Sequence, residues 1–207
     1  MKKFRILICS GPTQEPIDPV RFISNYSTGA MGKCLNDSAE SRGHHVTWVQ
    51  CPRDAQTARD LGALLKGLLP KQDALIMAAA VADVRPAGYS KHKLKKNSLK
   101  TIRLVKNPDI LAALSKKKKK SQVFVGFALE SRDMFDNAFK KLKEKNLEAI
   151  VLQGVTENDK PFGDKNIGAF VLEQKGNFAG FKSISKQKLA HFLIRKTERF
   201  LLSKRRD

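Results

Sequence analysis

The stretch Asp73-Ala-Leu-Ile-Met-Ala-Ala-Ala80 decides the fold, because every residue after Asp73 is apolar. An unbroken apolar run of strand length predicts a β-strand that is covered on both faces, as the strands of parallel sheets are. Two other segments, Lys3–Cys9 and Gln122–Leu129, are also predicted to be buried strands. Together the three segments predict the centre of a parallel sheet.

Helical segments alternate with the strands on both sides of this stretch. Ala55–Leu69 places four leucines on one helical face, and Ser131–Asn146 carries a second apolar stripe. His45–Gln50 and Glu148–Leu152 are short strands, and Ser185 is predicted to cap a last helix. This alternation predicts an α/β fold, a Rossmann-like and mostly parallel sheet with helices on both faces.

Several local features are predicted between these elements. Ile167–Leu172 and Phe178–Phe181 indicate a small β-hairpin. With its loop it leaves the main sheet across residues 154–181, where it could pair with a second copy of the chain. Leu99–Val105 alternates as a strand does, and Pro108 is suited to the first turn of a helix that ends near Leu114. Ser131 is predicted to cap the helix that follows it.

Composition limits the class of protein. The 207 residues are predicted to form a single domain over 1–207, and 41% of them are hydrophobic, which is enough for a core. The longest apolar run has nine residues, Ala74–Ala82, which excludes a transmembrane helix. Three cysteines, Cys9, Cys34 and Cys51, form no CxxC and leave one over in any pairing, so free thiols in the cytoplasm are expected.

The formal charge of +20 is concentrated in two segments. Residues 91–120 carry a net +11 and residues 186–207 a net +6. Such a field attracts anions, which could be nucleic acid, a membrane surface or a nucleotide. A basic nucleic-acid-binding protein is therefore the alternative hypothesis, although aromatic residues are only 7% of the chain and no nucleic-acid-binding motif is present. The run Lys116–Lys120 is interpreted as a solvated loop.

Candidate site residues follow the predicted strands. In a doubly wound sheet the carboxyl ends of the strands hold the ligand, and segments 10–32, 77–96 and 126–130 reach that edge. Ser27-Thr-Gly-Ala-Met-Gly32 at a helix start indicates either an anion-binding turn or a plain turn. The pattern is not GxGxxG, which disfavours a dinucleotide oxidoreductase. Asp83 could bind a ribose or a magnesium ion.

Four motifs together resemble one family. They are Gly11-Pro-Thr-Gln-Glu-Pro-Ile-Asp-Pro-Val-Arg-Phe-Ile-Ser-Asn-Tyr-Ser-Thr-Gly-Ala-Met-Gly32, Met77-Ala-Ala-Ala-Val-Ala-Asp83 with the KxKK motif Lys93–Lys96, Val105-Lys-Asn-Pro-Asp-Ile-Leu111, and Val125-Gly-Phe-Ala128. In this order they resemble phosphopantothenate–cysteine ligases, the phosphopantothenoylcysteine synthetases of coenzyme A biosynthesis. The alanine-rich segment and KxKK resemble the bacterial branch that uses CTP.

The resemblance implies a two-step ligation. The carboxylate of 4′-phosphopantothenate attacks the α-phosphorus of CTP, which gives an acyl-cytidylate and pyrophosphate. The amine of L-cysteine then attacks the acyl carbon and releases CMP. Fixed cations and Mg²⁺ would neutralise the phosphates. The implied protein is a cytoplasmic homodimer that stands alone without flavin, and a separate decarboxylase acts next.

The resemblance also implies roles for single residues. Asn25 matches the asparagine that holds the acyl-cytidylate, and Lys93 matches the lysine needed to form it. The metal ligands are not assigned. Contacts near the pantothenate portion are implied for Arg21, Ala79 and Ala80, and nucleotide contacts for Gly11, Ser27, Gly29, Gly32, Met77, Ala78, Ala79, Asp83, Lys93, Pro108, Asp109, Ile110, Leu111, Phe127, Lys141 and Lys145.

The sequence departs from the family pattern at four positions. Pro12 stands where the family has glycine, and Ala30 stands where it often has lysine. Leu129 replaces an alanine, and Gly154 replaces the aspartate of an Ala-Asn-Asp sequence. These departures bear on turnover and nucleotide preference, and they leave the predicted fold unchanged.

Overall fold

A computed structural model describes residues 2–157, 160–174 and 176–205. Two short 3₁₀ turns, Leu69–Lys71 and Lys96–Ser98, accompany the regular elements. In chain order these elements are β1 (Arg5–Pro12), β2 (Gln14–Pro16), β3 (Phe22–Ser24), α1 (Ala30–Ser41), β4 (His45–Gln50), α2 (Ala58–Leu68), β5 (Ala74–Ala80), β6 (Val84–Pro86), β7 (Leu104–Lys106), α3 (Ile110–Ser115), β8 (Val123–Glu130), α4 (Met134–Glu144), β9 (Ala149–Gly154), β10 (Ile167–Glu173), β11 (Phe178–Ile184) and α5 (Lys186–Ser203).

Seven strands form the central sheet in the order β11-β10-β9-β8-β5-β1-β4. The five strands from β9 to β4 are parallel, and β10 and β11 extend the sheet as an antiparallel hairpin. The predicted α/β fold is confirmed. The hairpin forms at the predicted residues, but it pairs with β9 and so continues the sheet at its edge.

Helices cover both faces of the sheet, which explains the apolar stretch in β5. Leu75 and Met77 belong to a core cluster with α2, α3 and α4, whereas Ala74 and Ile76 belong to a second cluster with α1 and α5. Alternate side chains of one strand therefore enter two different cores. No helix in the described residues is long and apolar enough to span a membrane.

The predicted strand over Leu99–Val105 is wrong for most of its length. Only Leu104–Lys106 is a strand, and it pairs with the three residues of β6. Leu104 is exposed, and alternation without a long partner strand and a core to face does not form a sheet.

Two helix starts also differ from expectation. Pro108 precedes the helix, and Asp109 caps it, because the Asp109 Oδ1 accepts the Ala112 N–H at 3.0 Å. Ser131 is not a cap, since β8 continues to Glu130 and the turn places the helix start at Met134. The cap at Ser185 is confirmed.

Two short hairpins, β2–β3 and β6–β7, form two-stranded sheets apart from the central sheet, and the loop between β6 and β7 joins them into one unit. We call residues 14–24 and 84–106 the arm. The Ser90 N–H donates to the Ile17 carbonyl at 3.0 Å, and the Leu94 N–H donates to the Asp18 carboxylate at 3.1 Å. Strands of three residues carry too little periodicity to be found in a sequence.

The N-terminus of α1 packs directly on β1. A Cβ built at Gly32 would lie 2.0 Å from the Ser10 Cβ, so no larger residue fits without moving the helix. This contact sets the helix start beside the carboxyl end of β1.

Gly32→Ala is expected to lower the free energy of unfolding by about 1–3 kcal/mol, because the added methyl overpacks a rigid contact. Gly67→Ala is the control, since a Cβ at that position of α2 meets nothing within 4 Å. The control should raise the same free energy by about 0.5–1 kcal/mol. Urea unfolding measures both, and equal effects would contradict the close contact at Gly32.

Candidate functional site

A cleft of about 470 Å³ opens at the carboxyl edge of the sheet. After β1 the chain adds β4 on one side of β1, and it then adds β5 on the opposite side of β1. The direction in which strands are added therefore reverses between β1 and β5. Ligands of open α/β sheets bind at such a switch point. The predicted site residues that line this cleft are Asn25, Ser27, Gly29, Gly32, Ala78, Ala79, Ala80, Asp83 and Phe127.

A second cavity of about 240 Å³ adjoins the cleft. The two share Ala79, Val81, Asp83 and Phe127, so they lie side by side, and we call them the joined cavities. The other predicted residues around the second cavity are Met77, Pro108, Asp109, Ile110, Leu111, Lys141 and Lys145.

Three predicted residues lie elsewhere. Gly11 lines a third cavity, which also adjoins the cleft because the two share Thr28, Gly29, Ala30 and Gly163. Arg21 belongs to the arm, where its guanidinium lies 2.7 Å from the Asp18 carboxylate. Lys93 is exposed on the arm next to Leu94, whose carbonyl accepts a hydrogen bond from Arg21 at 3.3 Å. Arg21 and Lys93 are thus adjacent to each other, and neither lines the two joined cavities.

The N-terminus of α1 forms part of the wall of the cleft. Gly29 precedes the helix with a φ of 72° and has no side chain to cap it, and the Ala30 N–H donates to the Thr28 Oγ1 at 3.4 Å. The N–H groups of a first helical turn lack intrahelical partners, and the helix dipole is positive at this end. The first turn, Ala30 to Gly32, lines the cleft and can therefore bind an anion.

The segment Ala80–Asp83, which we call the elbow, connects β5 to β6 and forms the floor shared by the two cavities. Buried Thr13, which directly follows β1, holds this segment: its N–H donates to the Ala80 carbonyl at 3.2 Å, and its Oγ1 accepts the Ala82 N–H at 2.9 Å.

Two asparagines hold the elbow from its other sides. The Asn25 Nδ2 donates to the Val81 carbonyl at 2.9 Å. The Asn107 Nδ2 donates to the Ala82 carbonyl, and its backbone N–H donates to the Asp83 carbonyl, both at 2.8 Å. The elbow is therefore fixed by three separate parts of the chain.

Two of the predicted lysines, Lys141 in α4 and Lys145 directly after it, are paired with carboxylates. Lys141 lies 2.6 Å from Glu130, and Lys145 lies 2.9 Å from Asp109. Burial acts to raise the pKa of Asp109, but the Ala112 N–H and the Lys145 ammonium outweigh it and lower that pKa. Both cations are thereby held beside the second cavity.

Sequence reasoning missed part of the cleft wall. Tyr26 and Phe162 line the cleft with ring centroids 5.9 Å apart, and buried Lys186 also faces it. Phe162 and Lys186 follow segments without a motif, so nothing in the pattern indicated them. Within the described residues, no group of three or more His, Cys, Asp or Glu side chains could hold a metal ion.

This architecture, with a cleft at the switch point of a doubly wound sheet, is that of a Rossmann-like α/β domain. The chain belongs to the family described as the DNA/pantothenate metabolism flavoprotein C-terminal domain, whose model matches residues 1–200. The resemblance to the phosphopantothenate–cysteine ligase family is thereby confirmed.

The similar proteins agree with this family. The chain is 35% identical over 192 residues to the coenzyme A biosynthesis bifunctional protein CoaBC of Escherichia coli strain K12, covering 86% of this chain and 47% of that protein. It is 40% identical over 205 residues to a cysteine/cysteine sulfinic acid decarboxylase of an unknown prokaryotic organism, covering 93% of this chain and 57% of that protein. The chain thus spans about half the length of the curated relatives it matches.

Solved structures match the whole domain. The crystal structure of the C-terminal domain of a CoaBC protein superposes with a TM-score of 0.79 at 29% identity, covering 98% of each chain. A DNA/pantothenate metabolism flavoprotein from Streptococcus pneumoniae shares the fold, with a TM-score of 0.80 at 21% identity over 95% of this chain and 99% of that one.

Thr13→Val is expected to lower the free energy of unfolding by about 1–3 kcal/mol, because the Ala82 N–H loses its acceptor in a buried place. Thr101→Val, at an exposed position of the arm, should change it by less than about 0.5 kcal/mol. Chemical denaturation compares the two, and a neutral Thr13→Val would show that the elbow does not depend on this hydrogen bond.

Proposed function

We propose that this domain is a phosphopantothenate–cysteine ligase that joins 4′-phosphopantothenate to L-cysteine through an acyl-cytidylate formed from CTP. One observation carries the proposal: motifs far apart in the sequence meet around two adjoining cavities. The segments 25–32, 77–83, 107–111 and 127–129 line the two joined cavities. Family membership and the positive helix end in the cleft support it.

The cleft suits the first step of this reaction. When a carboxylate attacks the α-phosphorus of a nucleoside triphosphate, pyrophosphate departs and the phosphate oxygens need fixed positive partners. The N-terminal turn of α1 offers N–H groups in the cleft, and Lys141 and Lys145 stand beside the adjoining cavity. These groups would hold the triphosphate and the rest of the nucleotide.

Mg²⁺ would enter with the nucleotide. Mg²⁺ is commonly bound through one or two carboxylates together with substrate phosphates, and does not need an all-protein cage. Asp83 and Asp109 are the carboxylates that line the second cavity. Asp83 fits this role, whereas the two oxygens of Asp109 already accept from the Ala112 N–H and from Lys145. The ion would supply charge neutralisation on the leaving pyrophosphate. The reaction transfers no electrons, so no flavin is proposed for it.

Asn25 is proposed to hold the acyl-cytidylate for attack by the cysteine amine. Its amide bonds the Val81 carbonyl, so it lies against the elbow at the cleft. Lys93 and Arg21 are proposed to act in the first step and near the pantothenate portion. They reach the reacting groups only if the arm closes over the cleft or if a second copy supplies its own arm.

The departures from the family pattern fall partly in this site. Ala30 and Leu129 line the cleft, so the charge of the usual lysine is missing from the first turn of α1. Gly154 ends β9, where a Cβ would lie 3.2 Å from the Met134 Cε.

The function is tested by incubating the protein with 4′-phosphopantothenate, L-cysteine and each of the four nucleoside triphosphates while pyrophosphate is measured. CTP is expected to support ligation far better than ATP, because a base read by fixed hydrogen bonds discriminates strongly. Equal kcat/KM for CTP and ATP would overturn the CTP assignment. Release of CO₂ from cysteine sulfinate, without ligation, would favour the activity named in the decarboxylase relative.

The two half-reactions should respond to different substitutions. Lys93→Gln is expected to slow acyl-cytidylate formation by about 10²–10³, because it removes a charge that stabilises the transition state. Asn25→Asp should still form the intermediate but let it accumulate, since a carboxylate cannot donate as the amide does. A single-turnover quench with labelled CTP follows acyl-cytidylate and CMP separately.

Lys91→Gln is the matched control for this experiment, because Lys91 is exposed on the same loop outside KxKK. It should behave as the wild type does. Normal intermediate formation in Lys93→Gln, or no accumulation in Asn25→Asp, would remove the role assigned to that residue.

We also propose that two copies associate through the arm. Five of the ten exposed large apolar side chains of the described residues lie on it, whereas the β10–β11 hairpin exposes Phe178. Specific interfaces bury about 800 Å² per partner around an apolar centre. The five residues are Val20, Phe22, Tyr89, Ile102 and Leu104.

Leu104→Asp is expected to convert a dimer to a monomer at micromolar concentration, because it buries a charge in the apolar interface. Phe178→Asp should leave the dimer intact. Sedimentation velocity measures both, and the opposite result would place the interface at the hairpin. Loss of ligation in a folded Leu104→Asp monomer would indicate that the second copy supplies the arm.

A further inference from the structure

Lys186 is a buried cation in the wall of the cleft. It is the first residue of α5, is only 7% exposed, and lines the cleft together with the N-terminal turn of α1. Its ammonium donates to the Gly163 carbonyl at 2.6 Å and to the Lys165 carbonyl at 3.4 Å. An ammonium has three N–H donors, so these two acceptors leave one for a ligand.

The environment of Lys186 differs from that of two other largely buried basic side chains. Lys118 pairs with Glu148 and Arg42 pairs with Glu198, so each has a carboxylate within 2.8 Å. No carboxylate in the described ranges 2–157, 160–174 and 176–205 forms an ion pair with Lys186. Burial lowers the pKa of Lys186, although the Asp164 carboxylate acts in the opposite direction. An anion in the cleft would complete the charge balance.

We propose that Lys186 binds the triphosphate of the nucleotide, together with the N–H groups at the start of α1. The proposal rests on the function proposed above, and it adds a residue that none of the family motifs contains. The triphosphate is the most highly charged of the proposed ligands. The helix start offers dipoles and no side-chain charge, because Ala30 stands at its first position. Lys186 supplies the charge that this end of the cleft otherwise lacks.

A structural role would predict different behaviour. Lys186 also joins α5 to the loop that carries Phe162 and Gly163, so its loss could distort the cleft for every ligand. A ligand without phosphate separates the two roles. Loss of a phosphate contact weakens only the phosphorylated ligands, whereas a distorted wall weakens cytidine as well.

The experiment measures binding of CTP and pyrophosphate by titration calorimetry, and of cytidine by ligand-observed NMR. Lys186→Gln keeps a donor and removes the charge, and it should bind CTP and pyrophosphate about 10- to 100-fold more weakly with cytidine binding unchanged. Lys188→Gln, at an exposed position of the same helix, should bind all three as the wild type does. If Lys186→Gln fails to fold in thermal melting, Lys186→Met replaces it, because an unbranched chain fits the same buried path.

Three outcomes would overturn the assignment. Unchanged CTP binding in a folded Lys186 variant removes the lysine from the triphosphate site. Equal weakening of CTP and cytidine assigns it a structural role. Weaker binding of 4′-phosphopantothenate, titrated by calorimetry in the same way, with normal CTP binding transfers the lysine to the other substrate. A wild-type protein that binds no CTP refutes the proposed function itself, which distinguishes that failure from the failure of Lys186 alone.

Discussion

The parallel pairing of β1 with β5 is the constraint on which the site depends. Seven residue pairs join the two strands, beginning with Ile6 opposite Ala74 and ending with Pro12 opposite Ala80. The two strands therefore end at the same level. Beyond that level Thr13 hydrogen-bonds the elbow, and Gly32 seats α1 against β1. The floor of the cavities and the positive helix end are therefore built on the ends of one strand pair.

The large positive charge serves two purposes in the structure. Part of it stabilises the fold. Lys118 is expected in a solvated loop, but its side chain is only 3% exposed and pairs with Glu148. Lys204 also contacts Glu148, at 2.8 Å. Desolvation lowers the pKa of Lys118, and the Glu148 carboxylate partly offsets this. Another part, Lys141, Lys145 and Lys186, surrounds the joined cavities. A net charge does not distinguish these uses, because it carries no information on which lysine is buried or paired.

The elements of the sheet could be predicted from sequence because their patterns are local. The apolar run of β5 and the cap at Ser185 depend on residues close in the chain, and both are found where expected. The strand over Leu99–Val105 and the cap at Ser131 failed for a different reason. A segment of alternating apolar and polar residues forms a strand only where a partner strand lies beside it. A helix can start only after the preceding strand has ended. Both conditions depend on distant residues.

The sequence by itself determined the α/β class, the family, and the segments that reach the carboxyl edge of the sheet. These follow from short-range patterns and from sequence motifs. Only the tertiary structure decided which of those residues share a cavity. It brought Asn25 to the elbow, left Lys93 and Arg21 on the arm, and added Lys186 from the last helix. The residues that line a cleft are far apart in the chain. They are brought together by the order of the strands and by the packing of the helices against the sheet.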